Sequence, residues 1–235
     1  MMNRQDASTD QPSASPVPDI LQVDQAIQAF QAVEHVYSAA IREVQTKLEI
    51  LSDEFSLSAD HNPIHHIVTR VKAPASIAAK LQRRGFDLSV RSARRHLSDI
   101  AGVRVICQYI DDIYMIADLL LAQDDIHLIR QTDYIKRPKP NGYRSLHLII
   151  SVPVYLARRK EQVKVEIQIR TIAMDFWASL QHDLAYKLPN EVSTNIFAEL
   201  RDCADVIADT DRRMQKLNNL IASQTQAACP RDDLS

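Results

Sequence analysis

The sequence predicts an α/β fold: a mixed β-sheet flanked by helices, with a long helix at each end of the chain. Three observations carry this. Val163, Val165, Ile167 and Ile169 alternate with Lys164, Glu166, Gln168 and Arg170, the period-2 pattern of a half-buried strand. Near-heptad apolar runs stand at both ends, from Val23 to Leu51 and from Ile196 to Ile221. Between them, strand-like and helix-like segments follow one another, which favours helices packed on a sheet over an all-helical or all-β architecture.

In chain order, residues 1–18 are rich in Ser, Pro, Asp and Gln without periodicity and are expected to form a disordered tail. Val23, Ile27, Phe30, Tyr37, Ile41, Val44, Leu48 and Leu51 then mark a long amphipathic helix, broken only by Glu34 and expected to pack on the sheet. His61, His65 and His66 read as a loop cluster in which packing is favoured over a metal site. Pro74 suits a first helical turn, and the helix over Ser76–Arg84 stops at Gly85. Gly102–Ile110 is a β-branched strand, and Asp111 or Asp112 can cap a helix reaching Ala122.

Tyr143–Val152 and Val163–Arg170 are predicted as two antiparallel strands joined by a loop containing Pro153. Thr171–Lys187 is a helix with Phe176, Trp177, Leu180 and Leu184 on one side. Ile196, Leu200, Cys203, Ile207, Thr210, Met214, Leu217 and Ile221 form the narrow seam of the last helix, part of which is expected to serve oligomer contacts. A single domain over 19–222 is expected, with a second disordered tail over 223–235.

The totals exclude several function classes. At 235 residues, 46% hydrophobic and net charge −2, the chain can bury a core and presents no global field toward nucleic acid or an anionic membrane. No apolar run reaches membrane-spanning length and no signal pattern opens the chain, so a cytoplasmic protein is expected. Cys107, Cys203 and Cys229 give neither a disulfide framework nor a CxxC metal spacing, and Cys107 lies in an apolar run as a core residue. Cations nevertheless cluster locally: nine Arg/Lys against two Asp over Arg70–Arg104, and five against one over Arg130–Arg144. Such clusters on a nearly neutral chain point to a local anion site, or to a solvated basic face.

With only Gly85, Gly102 and Gly142, no glycine-rich phosphate loop can form, so cationic side chains would have to hold any phosphates. Arg70, Lys72 and Lys80 supply them around the first short helix. Alternation places Tyr143, Ser145 and His147 on one strand face, beside Glu166 and Gln168. That is either a surface that stacks and hydrogen-bonds a base or a solvent-facing polar sheet face. Asp99 and Glu166 lie at neighbouring strands, as carboxylates that hold Mg²⁺ between nucleotide phosphates do. His182-Asp183 alone does not make a phosphohydrolase centre, because further His and Asp partners do not stand out.

These motifs together resemble the alarmone synthetases, the (p)ppGpp synthetase domain of the RelA/SpoT type, in its short single-domain form. The resemblance rests on Arg70-Val-Lys72, Ser76 and Lys80, and on Asp99-Ile-Ala-Gly-Val-Arg104. It continues through Asp133-Tyr-Ile, Lys139-Pro-Asn-Gly-Tyr143-Arg-Ser-Leu-His147, Glu166-Ile-Gln-Ile-Arg-Thr171 and Ala173-Met-Asp-Phe-Trp-Ala178. It implies a nucleotidyltransferase-like fold and transfer of the β,γ-pyrophosphate of ATP to the 3′-hydroxyl of GTP or GDP, with AMP released. Carried over by residue, it implies that Arg70 and Arg104 sandwich adenine and that Lys72, Ser76 and Lys80 serve ATP. It implies Mg²⁺ on Asp99 and Glu166, with Glu166 beside the attacking hydroxyl. Tyr143 would stack on guanine, with Lys139, Asn141, His147 and Gln168 around the acceptor.

The resemblance also implies a homo-oligomer, expected as a tetramer, and an alarmone or single-stranded RNA effector between subunits. This chain departs from the family pattern at Thr132, where a cation usually stands and Arg130 or Lys136 would have to substitute. It departs again at Gln181, usually Glu. Gln45 and Glu49 stand where effector-binding lysines are expected. The competing readings are an RNA-binding module of the same fold without turnover, and a nucleotide hydrolase.

Overall fold

The computed structural model describes residues 20–58, 61–187 and 194–228. The tail expected over 1–18 and residues 229–235 of the C-terminal one lie outside the described residues. A five-stranded sheet runs in the order β1 (Ile64–Val71), β2 (Ala101–Cys107), β5 (Arg159–Thr171), β4 (Leu146–Leu156), β3 (His127–Asp133). Only β2 and β5 are parallel; the other neighbours are antiparallel. The helices are α1 (Ile20–Ser58), α2 (Pro74–Arg83), α3 (Val90–His96), α4 (Ile110–Leu121), α5 (Ile172–Lys187) and α6 (Thr194–Ala228).

The alternation in β2 and β5 sorts the sheet into two faces. Val103, Val105, Val165, Ile167, Ile169, Leu146 and Leu148 are buried on one face, where α1 and α4 cover them with Val36, Ala40, Val44, Leu48, Ile113, Ile116 and Leu120. Glu34, the break in the α1 pattern, is exposed and costs the packing nothing. Cys107 is buried in this core, as expected, and burial pushes its thiol far up, so it packs as a small apolar residue.

The other face is polar, and the strand registers align it in rows. One row runs Arg70, Gly102, Glu166, Ile149 and Arg130; the next runs Val68, Arg104, Gln168, His147 and Thr132. Residues paired across a ladder share a face, so both rows project to the same side.

Several predicted boundaries shift. Tyr143–Ser145 precede β4 instead of opening it, and Ser145 is fully buried, donating through Oγ to the Ile169 carbonyl at 3.1 Å. Ser145 therefore does not share a ligand-facing surface with Tyr143 and His147. Pro153 lies inside β4, opposite Gln162, and not in a loop. Its missing N–H is harmless because the β3 pairing ends at Ser151, leaving Pro153 on an open edge. His65 and His66 belong to β1, not to a loop cluster; His61 alone stays in the loop, with Nε2 3.2 Å from Asp112 Oδ1. Helix α4 starts at Ile110 with Tyr109 as its N-cap, so neither Asp111 nor Asp112 holds the N-cap position expected of them; Asp112, at N3, reaches back to accept from the Tyr109 N–H at 3.0 Å. Strands β1 and β3 and helix α3 were not anticipated: β1 and β3 are edge strands, mostly exposed, with no clean apolar alternation.

The terminal helices also depart from expectation. On α5, Trp177 is buried, whereas Phe176, Leu180 and Leu184 are exposed, Phe176 by 58%. On α6 the docked stripe is Ala204, Ala208, Asp211 and Gln215, while Met214, Leu217 and Ile221 of the apolar seam face outward. The helix runs on to Ala228. Among the described residues no helix is long and apolar enough to cross a membrane.

Candidate active site

The polar sheet face forms an open cleft lined by Arg70, Asp99, Gly102, Arg104, Glu166 and Gln168. On one side, Asp99 stands in the turn between α3 and β2. Its Oδ2 accepts from Lys72 Nζ at 2.8 Å and from Lys80 Nζ at 2.6 Å. Lys72 leaves β1 and Lys80 lies on α2, so α2, started by Pro74, folds back to bring the second ammonium onto the same oxygen. Burial acts to raise the Asp99 carboxyl, but the two lysines outweigh it and hold it below its ordinary value. Arg70 and Arg104 are diagonal neighbours on adjacent strands. Diagonal Cβ spacings of about 7 Å leave room for one flat ring between two guanidinium planes.

On the other side a continuous chain of polar contacts crosses the sheet. Arg170 Nη2 donates to Gln168 Oε1 at 2.6 Å and to the Tyr143 hydroxyl at 3.0 Å. Gln168 Nε2 donates to Glu166 Oε2 at 3.1 Å. The Tyr143 hydroxyl lies 2.8 Å from His147 Nε2. That hydroxyl, which also accepts from Arg170, thereby links Arg170 to the His147 ring. Nδ1 faces Glu166 Oε1 at 3.7 Å, too long for a direct hydrogen bond but close enough to act on the carboxylate. Burial acts to raise the Glu166 carboxyl, yet the His147 ring and the Gln168 amide outweigh it, and Glu166 sits below its ordinary value. Burial pushes the Tyr143 phenol up, keeping its proton.

The loop that flanks this second side precedes β4. Lys139 Nζ lies 4.7 Å from the Tyr134 ring centre and 4.5 Å from that of Tyr143, a cation held by two aromatic faces. Asn141 spends its side-chain oxygen on the Tyr143 N–H at 3.2 Å, so it shapes the turn instead of pointing into the cleft. Gly142 completes that turn at φ +86°, and a Cβ there would stand 2.5 Å from Ala204 Cβ on α6. Helix α6 grips the same loop elsewhere. Arg201 donates to the Pro140 carbonyl at 2.8 Å, and Arg144 donates to the Ala204 carbonyl at 3.1 Å and to Asp205 at 2.9 Å.

The structure therefore gathers Arg70, Lys72, Lys80, Asp99, Arg104, Lys139, Tyr143, His147, Glu166 and Gln168 on one side of the sheet. Ser76 lies exposed in the first turn of α2, one turn before Lys80. Thr132 sits on the polar face opposite His147. Of its two expected substitutes, Arg130 shares that face, whereas Lys136 is drawn 3.6 Å from Asp133 Oδ2. Gln45 and Glu49 bond each other at 2.7 Å. The side chains of His182 and Asp183 lie outside those described.

Sequence reasoning passed over Arg170, Asp175, Arg144 and Arg201. Arg170 was visible as the next residue on the Glu166–Gln168 face. Asp175 and Arg144 stand inside the quoted motifs, but Asp175 meets Arg104, Arg144 meets Ala204 and Asp205, and Arg201 meets Pro140 across long stretches of chain, so no local pattern gave them a role.

Among the described residues, the buried side-chain polar atoms left without a hydrogen-bond partner are Asp99 Oδ1, Arg104 Nε and Arg170 Nε. All three belong to this one site. A buried unpartnered polar atom costs about 1–3 kcal/mol, so their concentration here marks a place built to receive a polar ligand.

Comparisons with known proteins converge on one family. A family model described as a region found in RelA / SpoT proteins matches residues 69–191. The GTP pyrophosphokinase YwaC of Bacillus subtilis (strain 168) is 49% identical over 179 residues, covering 76% of this chain and 85% of its own. The GTP pyrophosphokinase YjbM of the same organism is 34% identical over 195 residues, covering 83% and 90%. Among solved structures, the small alarmone synthetase 1 from Bacillus subtilis bound to its product pppGpp superposes with a TM-score of 0.76 at 32% identity, over 83% of this chain and 98% of that one. The small alarmone synthetase 2 from the same organism gives 0.71 at 47% identity, over 78% and 96%.

Proposed function

The chain belongs to the RelA/SpoT family, and on that premise we propose that it is a GTP pyrophosphokinase of the small alarmone synthetase type. It moves the β,γ-pyrophosphate of ATP to the 3′-hydroxyl of GTP or GDP, making (p)ppGpp and releasing AMP. The observation that carries this reading is the set of unpartnered buried atoms Asp99 Oδ1, Arg104 Nε and Arg170 Nε, which belong to the two sides of a single cleft.

The roles are those the family resemblance implies for these positions, and the side-chain arrangement supports them. Arg70 and Arg104 stack on the adenine, and Lys72 and Lys80 neutralise the ATP phosphates. Ser76, on the same helix face as Lys80, meets them at the first turn of α2. Tyr143 stacks on the guanine base. Lys139, His147 and Gln168 surround the acceptor nucleotide, and Asn141 holds the turn that presents Lys139 and Tyr143.

Glu166 orients the 3′-hydroxyl and takes its proton as the oxygen attacks the β-phosphorus and the bond to the α-phosphate oxygen breaks. Because Glu166 is held below its ordinary value, it is ionised at neutral pH but has little appetite for a proton. Its larger contribution is therefore orientation and local charge, with proton capture late in the step.

Asp99 and Glu166 suit Mg²⁺. Mg²⁺ takes one or two carboxylates plus phosphate and water oxygens, and Asp99 Oδ1 is buried without a partner. When bound, the ion neutralises charge developing on the transferring phosphates. The exposed α6 seam of Met214, Leu217 and Ile221 and the α5 stripe of Phe176, Leu180 and Leu184 support a homo-oligomer, a tetramer by family resemblance. An alarmone or single-stranded RNA effector reaching the middle of α1 would meet Gln45 and Glu49 there in place of lysines.

The test is incubation of the purified chain with Mg²⁺, γ-labelled ATP and GDP or GTP, followed by nucleotide separation. Label appearing on the guanine nucleotide with matching AMP is the expected result. AMP without labelled guanine product, or no turnover with tight salt-sensitive RNA binding, sinks this reading.

A further inference from the structure

Asp175 stands in the first turn of α5, between the two sides of the cleft. Its Oδ1 lies 3.2 Å from Arg170 Nη1 and 3.3 Å from Arg104 Nη1. Arg104 faces the donor nucleotide. Arg170 carries Gln168 and Tyr143 on the acceptor side. One carboxylate oxygen is therefore the only atom in these contacts that touches both sides.

The two guanidinium groups are unequal. The Arg170 side chain is 3% exposed, and four of its contacts fix it: Asp175, Gln168, Tyr143 and the Tyr143 ring, whose centre is 5.4 Å away. The Arg104 side chain is 35% exposed and is held only at Asp175 by any ion pair described. Two cations this close repel each other unless a shared anion lies between them. Without that anion, buried Arg170 cannot retreat into water, so Arg104 must move. Arg104 Nε is buried without a partner, so that nitrogen gives the guanidinium no further anchor.

We propose that Asp175 is a positioning residue: it pins Arg104 beside Arg170 so that the donor-side guanidinium is set to stack on the ATP base. This rests on the nucleotide assignment above. Helix α5 thereby ties donor recognition to the acceptor-side network, and loss of Asp175 falls mainly on ATP. Arg170 keeps its bonds to Tyr143 and Gln168, so the acceptor site is largely spared.

The experiment compares wild type, Asp175→Asn, Arg104→Ala and the double variant. Two readouts are used: direct binding of a non-hydrolysable ATP analogue with Mg²⁺, and steady-state KM for ATP and for the acceptor. Thermal unfolding is followed alongside. Asp175→Asn is expected to weaken analogue binding and raise the ATP KM roughly tenfold, as for loss of one charge-assisted contact, with the acceptor KM changed by less than about threefold.

In the Arg104→Ala background the same substitution should add nothing, because its effect runs through Arg104. Asp175→Glu should recover part of the affinity. Unchanged analogue binding, equal losses in both backgrounds, or equal losses for both nucleotides would overturn the proposal. Should wild type make no labelled guanine product, the synthetase reading fails separately, while analogue binding still judges the Asp175–Arg104 pair.

Discussion

The proposed donor and acceptor sides of the cleft share one sheet face but are assembled by different means. The donor side comes from one stretch of chain, residues 70–104, and is held by charge: two lysines on one oxygen of Asp99, and two arginines on adjacent strands. The acceptor side draws on the loop before β4, on β4 and β5, and on α6, far along the chain. It is held by packing and by guanidinium hydrogen bonds to backbone carbonyls as much as by ion pairs. A side built from charge can lose function with little loss of stability. A side built from packing should lose both together.

The largest expected effect falls where the two sides meet. Glu166→Gln keeps the shape and an acceptor for the Gln168 amide but removes the negative charge. We expect kcat to fall by at least about 100-fold, with circular dichroism and melting temperature unchanged. Normal turnover would remove Glu166 from the chemistry.

Next come paired substitutions that test the comparison itself. Lys80→Met leaves Lys72 on Asp99 and should raise the ATP KM by roughly tenfold, the value of one charge-assisted contact, with acceptor KM and stability nearly unchanged. Gly142→Ala must accommodate φ +86° and a Cβ 2.5 Å from Ala204. It should cost about 1–3 kcal/mol, lower the melting temperature by roughly 2–4 °C per kcal/mol for a chain of this size, and raise the acceptor KM. If Gly142→Ala alters ATP and acceptor equally, or Lys80→Met melts early, the division between a charge-built and a packing-built side is broken.

The smallest effect sharpens the role of α6. Asp211 on α6 accepts from Thr171 Oγ1 at 2.6 Å, and Thr171 Oγ1 in turn accepts from the Met174 N–H at 3.1 Å. Burial raises the Asp211 carboxyl above its ordinary value, with Thr171 partly offsetting it. A raised carboxyl means that the folded state holds the proton more tightly than the unfolded one. Wild type therefore loses stability as pH rises from the ordinary carboxylate value through the raised folded one. Asp211→Asn has no proton to lose and should be more stable than wild type above that window and equal to it below. Urea unfolding from pH 3 to 7 measures the difference; parallel curves would show that Asp211 does not titrate in this way.

The different construction of the two sides also explains which parts were legible. Alternation in Val163–Arg170 forces Val165, Ile167 and Ile169 to one side and Glu166 and Gln168 to the other, whatever else the chain does, because side chains on a strand alternate by geometry. The long α1 helix was equally plain, since its apolar residues recur at helical spacing over many turns. Edge strands β1 and β3 were missed because a strand with one open edge and exposed faces needs no apolar code. The α6 seam was legible as apolar, but not its surroundings. A period reveals that a face is apolar, not what covers it, and the stripe that docks on the domain is the small and polar one containing Ala204 and Asp211.

By itself, then, the sequence determined the strand and helix patterns, the ordered motifs of the family, and the residue types that face the cleft. Those follow from local sterics and from the spacing of polar and apolar side chains along a single element. Only the tertiary structure decided that Lys72 and Lys80 share one oxygen of Asp99, that α6 grips the loop carrying Lys139 and Tyr143, and that Asp175 joins Arg104 to Arg170. Those contacts link residues on separate elements, and their partners are chosen by strand order and helix docking, which no local pattern encodes.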